Sequence, residues 1–383
     1  MTNKFLPQFS LLLGLLFAGV YSAEAQNKLK LKYKNSIVYA GIEVGSKGVK
    51  MSLLEIGKNA KKNGAFNIVK DTSINTDFIS FTQPTFQATV NGMSSLYSTA
   101  LNTYNIPPER IFTVVSSGVK VQAEKEDKSN WISNFVDSVR IKIHDPNRTI
   151  EVVDVIQEAR LSHLGIVPES KRFTTFLIDI GSGNTKGGYF PGTTTKDMKL
   201  FQLSWGTKST ANAAEKRIDD DKSIGNYEKQ LSRVLAGAIN TEVIYAVNSS
   251  GAYNMSDNIA FSGGIAWSVA TLMFPEMIDN SVLVVNFDDL LKFNEKLSAN
   301  FSALSESSIV KGLKGNVENK DAIAKEVRTV HKVFDQRSLM AGTGLLIKIM
   351  RQFVGIYEKK QFFLVKNGQV GWISAYVDQS IVK

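Results

Sequence analysis

With 383 residues, 43% hydrophobic and 10% aromatic, the chain is long enough for two domains and apolar enough to give each a core. Its formal charge of +9 is spread over lysine-rich turns such as Lys28–Lys34 and Lys58–Lys62. Such a balance could favour an anionic ligand, but scattered lysines read as a solvated surface, and no arginine cluster or basic–aromatic interleaving marks a nucleic-acid partner. Cysteine is absent, which excludes disulfides and thiolate chemistry and leaves stability to the core.

The first residues read as a targeting signal: Lys4, an apolar stretch at Leu11–Val20, then the small-x-small triplet Ala23-Glu24-Ala25. The expectation is cleavage after Ala25 and export to the periplasm or the extracellular space. The apolar stretch falls short of the ~20 residues of a membrane span, so no stable span is expected after cleavage. An uncleaved anchor is the alternative.

Ile37–Ile56 alternates as two strands around a Gly/Ser turn and predicts a hairpin. Asn75–Thr82 reads as loop, and Thr85–Tyr104 as a helix ending before Pro107-Pro108. Ile111–Val115 is a strand, Trp131–Ile141 a helix, and Ile150–Val155 a strand entering a helix at Gln157–Leu164. Phe176–Ile180 then opens a second block: strand, Gly181-Ser182-Gly183-Asn184 turn, and a return strand at Gly187–Phe190. Helices follow at Tyr227–Leu235 and Thr241–Tyr245. Asn258–Phe261 is a strand running into Ser262-Gly263-Gly264 and a helix. Phe287–Arg328 is mostly helical, Leu339–Val354 is a helix, and Gln361–Val377 suggests a hairpin turning at Asn367-Gly368.

The two blocks repeat one another. Ile42-Glu43-Val44-Gly45-Ser46 aligns without a gap on Ile178-Asp179-Ile180-Gly181-Ser182, and Lys50 then falls opposite Lys186. Such turns suit a phosphoryl group, because glycine lets backbone N–H groups approach its oxygens. Ser46, Asn184 and Thr185 add side-chain donors, and Glu43 and Asp179 could hold Mg²⁺, which prefers oxygen ligands. Glu158, at a helix start between the two blocks, fits either a general base or an acid stabilised by the helix dipole. His144, His163 and His331 show no metal-ligand spacing, and no G-x-S-x-G elbow or Gly-Lys-Ser/Thr loop is present. Trp205 and Trp267 read as core, and Asp219-Asp220-Asp221 as a solvated loop.

These residues, in this order, resemble the exopolyphosphatase and guanosine pentaphosphate phosphohydrolase family of the actin-like ATPase superfamily. Glu43-Val44-Gly45-Ser46-Lys47-Gly48-Val49-Lys50 is similar to the family's first phosphate loop, and Asp179-Ile180-Gly181-Ser182-Gly183-Asn184-Thr185-Lys186 to its second. Glu158-Ala159-Arg160-Leu161 through Gly165, Gly263-Gly264, and Arg337 with Ala341-Gly342 complete the likeness, which covers Ile37 to Val354. It implies an α/β fold of two ribonuclease-H-like lobes with a cleft between them. It also implies Mg²⁺-dependent release of terminal phosphate, with Glu158 as base, Glu43 and Asp179 at the metal, and phosphate held by Gly45, Ser46, Lys47, Gly181, Ser182, Gly183, Asn184, Thr185, Lys186, Gly263 and Gly264.

The expected division is a signal peptide at 1–25, lobe I over 36–165, lobe II over 172–335, and 336–383 as a C-terminal helix returning to lobe I plus a hairpin. The chain departs from the family's pattern at four places: Glu43 for Asp, Lys47 for Asn, the segment Ser116-Ser117-Gly118 for Thr-Ser-Ala, and Lys186 for an acid. A lysine binds phosphate as a point charge but cannot replace a carboxylate at a metal. Two functions follow as expectations: an exported phosphohydrolase acting on polyphosphate or a related phosphoanhydride, or an inactive descendant binding a phosphorylated ligand or a protein in the same cleft. A nucleotide switch is a third, and a homodimer is one assembly the chain allows.

Overall fold

The computed structural model describes residues 29–46, 48–57, 66–313, 319–356, 359–366, 368 and 371–381. The expected signal peptide, Lys47 and the Asn367 turn position lie outside them.

Lobe I is built on strands β1 (Ile37–Val44), β2 (Gly48–Ile56), β3 (Phe66–Asn75), β4 (Ile111–Val115) and β5 (Ile150–Val152). They form one sheet in the order β3-β2-β1-β4-β5. β1 is antiparallel to β2 and parallel to β4, and β4 is parallel to β5. The helices joining them are α1 (Gln83–Ser98), α2 (Ser117–Lys125) and α3 (Ser129–Lys142), followed after β5 by α4 (Val155–Ile166). Ala40, Ile42 and Val44 alternate toward the α1–α3 side and join Val90, Met93, Phe135 and Val139 in a buried core, as period-two patterning demands.

Lobe II repeats the plan with β6 (Thr175–Ile180), β7 (Thr185–Tyr189), β8 (Lys199–Leu203), β9 (Asn258–Ser262), β10 (Val282–Val284) and β11 (Gln361–Val365). Their order is β10-β11-β9-β6-β7-β8. Apart from β10, which adds an antiparallel edge, the order 8-7-6-9-11 copies 3-2-1-4-5. The main helices are α5 (Thr207–Glu215), α6 (Ile224–Ala236), α7 (Ala238–Ser250), α8 (Gly264–Met273), α9 (Phe287–Ala299), α10 (Lys320–Val333), α11 (Gln336–Met350) and α12 (Gly371–Ile381).

The C-terminal segment from residue 336 onward differs from its expected arrangement. Leu339, Leu345, Leu346, Ile349 and Met350 of α11 are buried in the lobe II core, so this helix does not return to lobe I. The return is made by α12, in place of the second strand of the expected hairpin. An apolar run such as Trp372-Ile373-Ser374-Ala375-Tyr376-Val377 fits either element, and burial decides it as helix.

The last helix of each sheet thus crosses to the other lobe. α4, leaving β5, lies against β6 and β7, while α12, leaving β11, lies against β1 and α4. The crossing is tight at two glycines. A Cβ on Gly165 would sit 2.0 Å from the Gly371 carbonyl oxygen, and one on Gly41 would sit 2.6 Å from Ile373. Trp372, Ile373 and Tyr376 pack against Val114, Val153 and Leu161, each large side chain contributing about 1.5–3 kcal/mol. Lobe I has one further anchor. Glu55 on β2 is fully buried and accepts from Lys32 N (2.8 Å), Tyr33 N (2.7 Å), Ser36 Oγ (2.7 Å) and Asn67 Nδ2 (2.9 Å). Burial pushes its carboxyl up, but the four donors win and hold it at about 2.

Candidate functional site

Both phosphate-loop candidates are four-residue turns closed by one bond of the same kind. Gly45 N donates to Gly48 O at 2.9 Å, and Gly181 N to Asn184 O at 3.0 Å. The flanking strands have matching registers, so Glu43 stands opposite Lys50 and Asp179 opposite Lys186. The sequence repeat is therefore a structural repeat, with an acid–lysine pair at the mouth of each turn.

Each turn is supported from the adjoining parallel strand. After β4 the chain enters α2, where a Cβ on Gly118 would lie 3.3 Å from Ser46 Oγ. After β9 comes Gly263, with φ 91°, where a Cβ would lie 2.3 Å from Ile180 O and 2.9 Å from Asp179 Oδ1. Only glycine fits that conformation and that approach. The second turn also rests on the start of α5: Thr207 N donates to Gly181 O (2.9 Å) and Lys208 N to Ser182 O (2.8 Å). With those carbonyls engaged, the N–H groups of Ser182, Gly183 and Asn184 meet no acceptor among the described residues. Gly183 itself borders open space. Adjacent N–H groups left free in this way form an anion cradle. Thr185 does not add to it: its side chain is fully buried and its hydroxyl donates to Trp205 O at 2.7 Å.

The charged side chains meet behind the turns. Glu158 on α4 is buried; one oxygen accepts from Ser117 N at 2.7 Å and the other lies 2.6 Å from Lys186 Nζ. Lys186 Nζ is also 3.9 Å from Asp179, whose Oδ1 accepts from Ser262 Oγ at 3.0 Å. Burial would push the Lys186 ammonium down, yet attraction from Glu158, Asp179 and Glu43 outweighs it and holds the group above its ordinary value. Burial raises Asp179, with Lys186 opposing. Burial also raises Glu43, to about 7, against the pull of Lys50 and Lys186 and with the help of Glu158 and Asp179. Glu43 and Asp179 therefore belong to one electrostatic unit, although they come from different lobes.

The residues expected at a metal do not fit one. Among the described residues, no group of three or more His, Asp or Glu side chains is arranged to hold an ion. At the point where Glu158 and Asp179 converge stands the Lys186 ammonium. Mg²⁺ needs near-octahedral oxygen ligands at ~2.0–2.1 Å, and a protonated lysine supplies none.

Other candidates have structural roles. Arg337 pairs with both oxygens of Glu215 at 2.9 Å and covers the Tyr227 ring, away from the turns. Trp267 is buried, with Nε1 donating to Glu326 at 2.7 Å. His144 occupies a left-handed turn at φ 56°. His163 is buried, with Nε2 2.9 Å from Thr175 O, and burial holds it at about 4. The sequence marks Ser117 only within the Ser116-Ser117-Gly118 segment and gives no sign that its N–H fixes Glu158, because no side-chain pattern signals a backbone donor. Two surface cavities of about 500 and 460 Å³ around Glu306 and Arg328 share no residue with the turns.

The fold is shared with solved structures. The Aquifex aeolicus Ppx/GppA phosphatase superposes with a TM-score of 0.59 at 16% identity, over 90% of this chain and 99% of that one. An exopolyphosphatase from Cytophaga hutchinsonii gives 0.54 at 11% identity, over 90% and 98%. An exopolyphosphatase-like protein gives 0.55 at 15%, over 88% and 98%. The chain has the Ppx/GppA fold. It is a two-lobed α/β protein. No family model and no curated protein matches the sequence. At these identities the likeness to Ppx/GppA structures establishes architecture, and chemistry has to be argued from the side chains.

Proposed function

We propose that this protein binds a phosphorylated ligand, best represented by polyphosphate, between its two glycine turns, and that it binds without hydrolysing. The observation that carries this reading is the environment of Glu158. A general base must take a proton from a water within ~2.6–3.2 Å, whereas here each Glu158 oxygen already holds a donor, Ser117 N–H on one and the Lys186 ammonium on the other, and both compete with that water. Binding is served by the open N–H groups of the second turn, by Ser46, and by Lys50 and Lys186. Polyphosphate is preferred to a nucleotide because the amino-terminal segment reads as an export signal, and nucleotides are scarce outside the cytoplasm. The protein is accordingly assigned to the periplasm or the extracellular space.

The retained Glu158 and Asp179, on a fold shared with phosphatases, favour a second reading: an exopolyphosphatase-like hydrolase in which the ligand draws Lys186 away and frees Glu158. Calorimetric titration with long-chain polyphosphate, alongside a phosphate-release assay on wild type and Glu158→Gln, separates the two. Binding without release supports the binder. Release by wild type that Glu158→Gln abolishes supports the hydrolase, and absence of binding removes both.

A further inference from the structure

We propose that the Lys186 ammonium occupies the place of a divalent cation, so that the cleft excludes such ions and takes its polyanion without one. This deepens the phosphate-binding reading and rests on it for the ligand, but the exclusion of metal follows from the cluster alone. Lys186 is fixed by the ladder rather than by a flexible loop: it sits on β7 opposite Asp179, in the register that places Lys50 opposite Glu43. Its side chain is 8% exposed, and Nζ lies 2.6 Å from one carboxylate and 3.9 Å from another, contributed by separate elements. A metal ion held by Asp179, whether with Glu43 or with Glu158, would meet that fixed positive charge at close range in a poorly solvated site.

Charge balance points the same way. Three acids, Glu43, Asp179 and Glu158, act on one another together with two lysines, Lys50 and Lys186. With all five ionised, one negative charge remains. A divalent ion would overshoot it, whereas the lysines already offset most of it. An ammonium also has three donors and no acceptor. With one donor on Glu158 and a second toward Asp179, one remains for a phosphate oxygen, so the lysine can contact both the carboxylates and the ligand, as a bridging cation does.

Manganese uptake, followed by loss of the free-ion paramagnetic resonance signal, tests the exclusion directly on the whole chain. Wild type is expected to leave the signal unchanged. Lys186→Gln, which removes the charge from between two acids, is expected to bind Mn²⁺ at least about tenfold more tightly, and Lys186→Arg to remain indifferent. Polyphosphate affinity of wild type should be equal in EDTA and in Mg²⁺ at matched ionic strength. Stoichiometric Mn²⁺ binding by wild type overturns the proposal, as does loss of polyphosphate binding on chelation. So does a folded Lys186→Gln variant, checked by circular dichroism, that takes up no more metal than wild type. If that variant does not fold, the wild-type titration decides alone. Failure of polyphosphate to bind in either buffer counts against the ligand assignment and leaves the manganese result standing.

Discussion

In both lobes a strand delivers an acid, a four-residue turn reverses the chain, and a lysine returns opposite the acid. Beyond that point the two copies diverge. In lobe I, Lys50 is only partly buried, and the helix that crosses onto its sheet carries no carboxylate over Gly371–Val377. In lobe II the crossing helix is α4, which brings Glu158 to 2.6 Å from Lys186 and buries the pair. The asymmetry of the site therefore originates in the crossing helices rather than in the turns. One side chain on α4 converts a lysine shared by both repeats into an internal counter-ion.

The sharpest way to break this comparison is to remove each lysine in turn. Lys186→Ala leaves Glu158 buried and unpaired and is expected to cost about 3–5 kcal/mol of stability. Lys50→Ala removes a partly solvated charge and is expected to cost about 1 kcal/mol or less. Urea unfolding of both variants measures the difference. Equal costs would show that burial of the lobe II pair has no energetic consequence and that the two turns are equivalent.

The crossing itself gives the next largest effect. A Cβ on Gly165 would press on the Gly371 carbonyl at 2.0 Å, which is backbone, with no flexible side chain to yield. Gly165→Ala is expected to cost about 1–3 kcal/mol and to expose α12 to limited proteolysis. Gly183→Ala, in open space, should leave the melting temperature unchanged while weakening anion binding. A melt that falls equally for both would contradict the assignment of one glycine to packing and the other to the ligand.

Much of this was legible in the sequence, for reasons particular to each part. The hairpins of β1–β2 and β6–β7 announced themselves because their strands are rich in apolar and β-branched residues and their turns contain glycine. The five-residue agreement around Gly45 and Gly181 is visible without coordinates. β3 and β8 were not read. They are edge strands rich in Lys, Asn, Asp and Gln, such as Phe66-Asn67-Ile68-Val69-Lys70-Asp71, and edge strands bury too little to impose a pattern. The crossing of α4 and α12 was also illegible, because a helix's periodicity shows that it has a buried face but not which lobe covers it. The same limit applies to the site. Glu158, Asp179 and Lys186 were identified separately, yet their mutual neutralisation depends on a helix trajectory that no motif encodes.

Acid unfolding sharpens the comparison on the lobe I side. Glu55 anchors the amino-terminal segment there, and the corresponding place in the second repeat, counted from Lys50 and Lys186, is Pro191. Because the folded carboxyl is held at about 2, below its ordinary value of 4.5, its contribution is fully present above about pH 4.5. That contribution is lost as pH falls from there toward 2. Glu55→Gln should lower stability at neutral pH by about 2 kcal/mol and flatten the acid limb of the stability profile. An unchanged limb would assign acid sensitivity to another group.

The smallest expected effect discriminates between the turns themselves. Glu43 is raised to about 7 by burial and by Glu158 and Asp179, so it takes up a proton as pH falls through neutrality. The folded state holds that proton more tightly than the unfolded chain, so Glu43's contribution to stability is full below about pH 4.5 and is lost as pH rises through 7. Protonation also removes a negative charge from a site that receives a polyanion. Polyphosphate affinity should therefore rise several-fold between about pH 8 and pH 6, by the loss of one repulsive charge. In Glu43→Gln the affinity should be high and flat across that range. A wild-type affinity that falls as the solution is acidified would mean that Glu43 contacts the ligand through a cation rather than repelling it, which would also count against lysine as the resident charge.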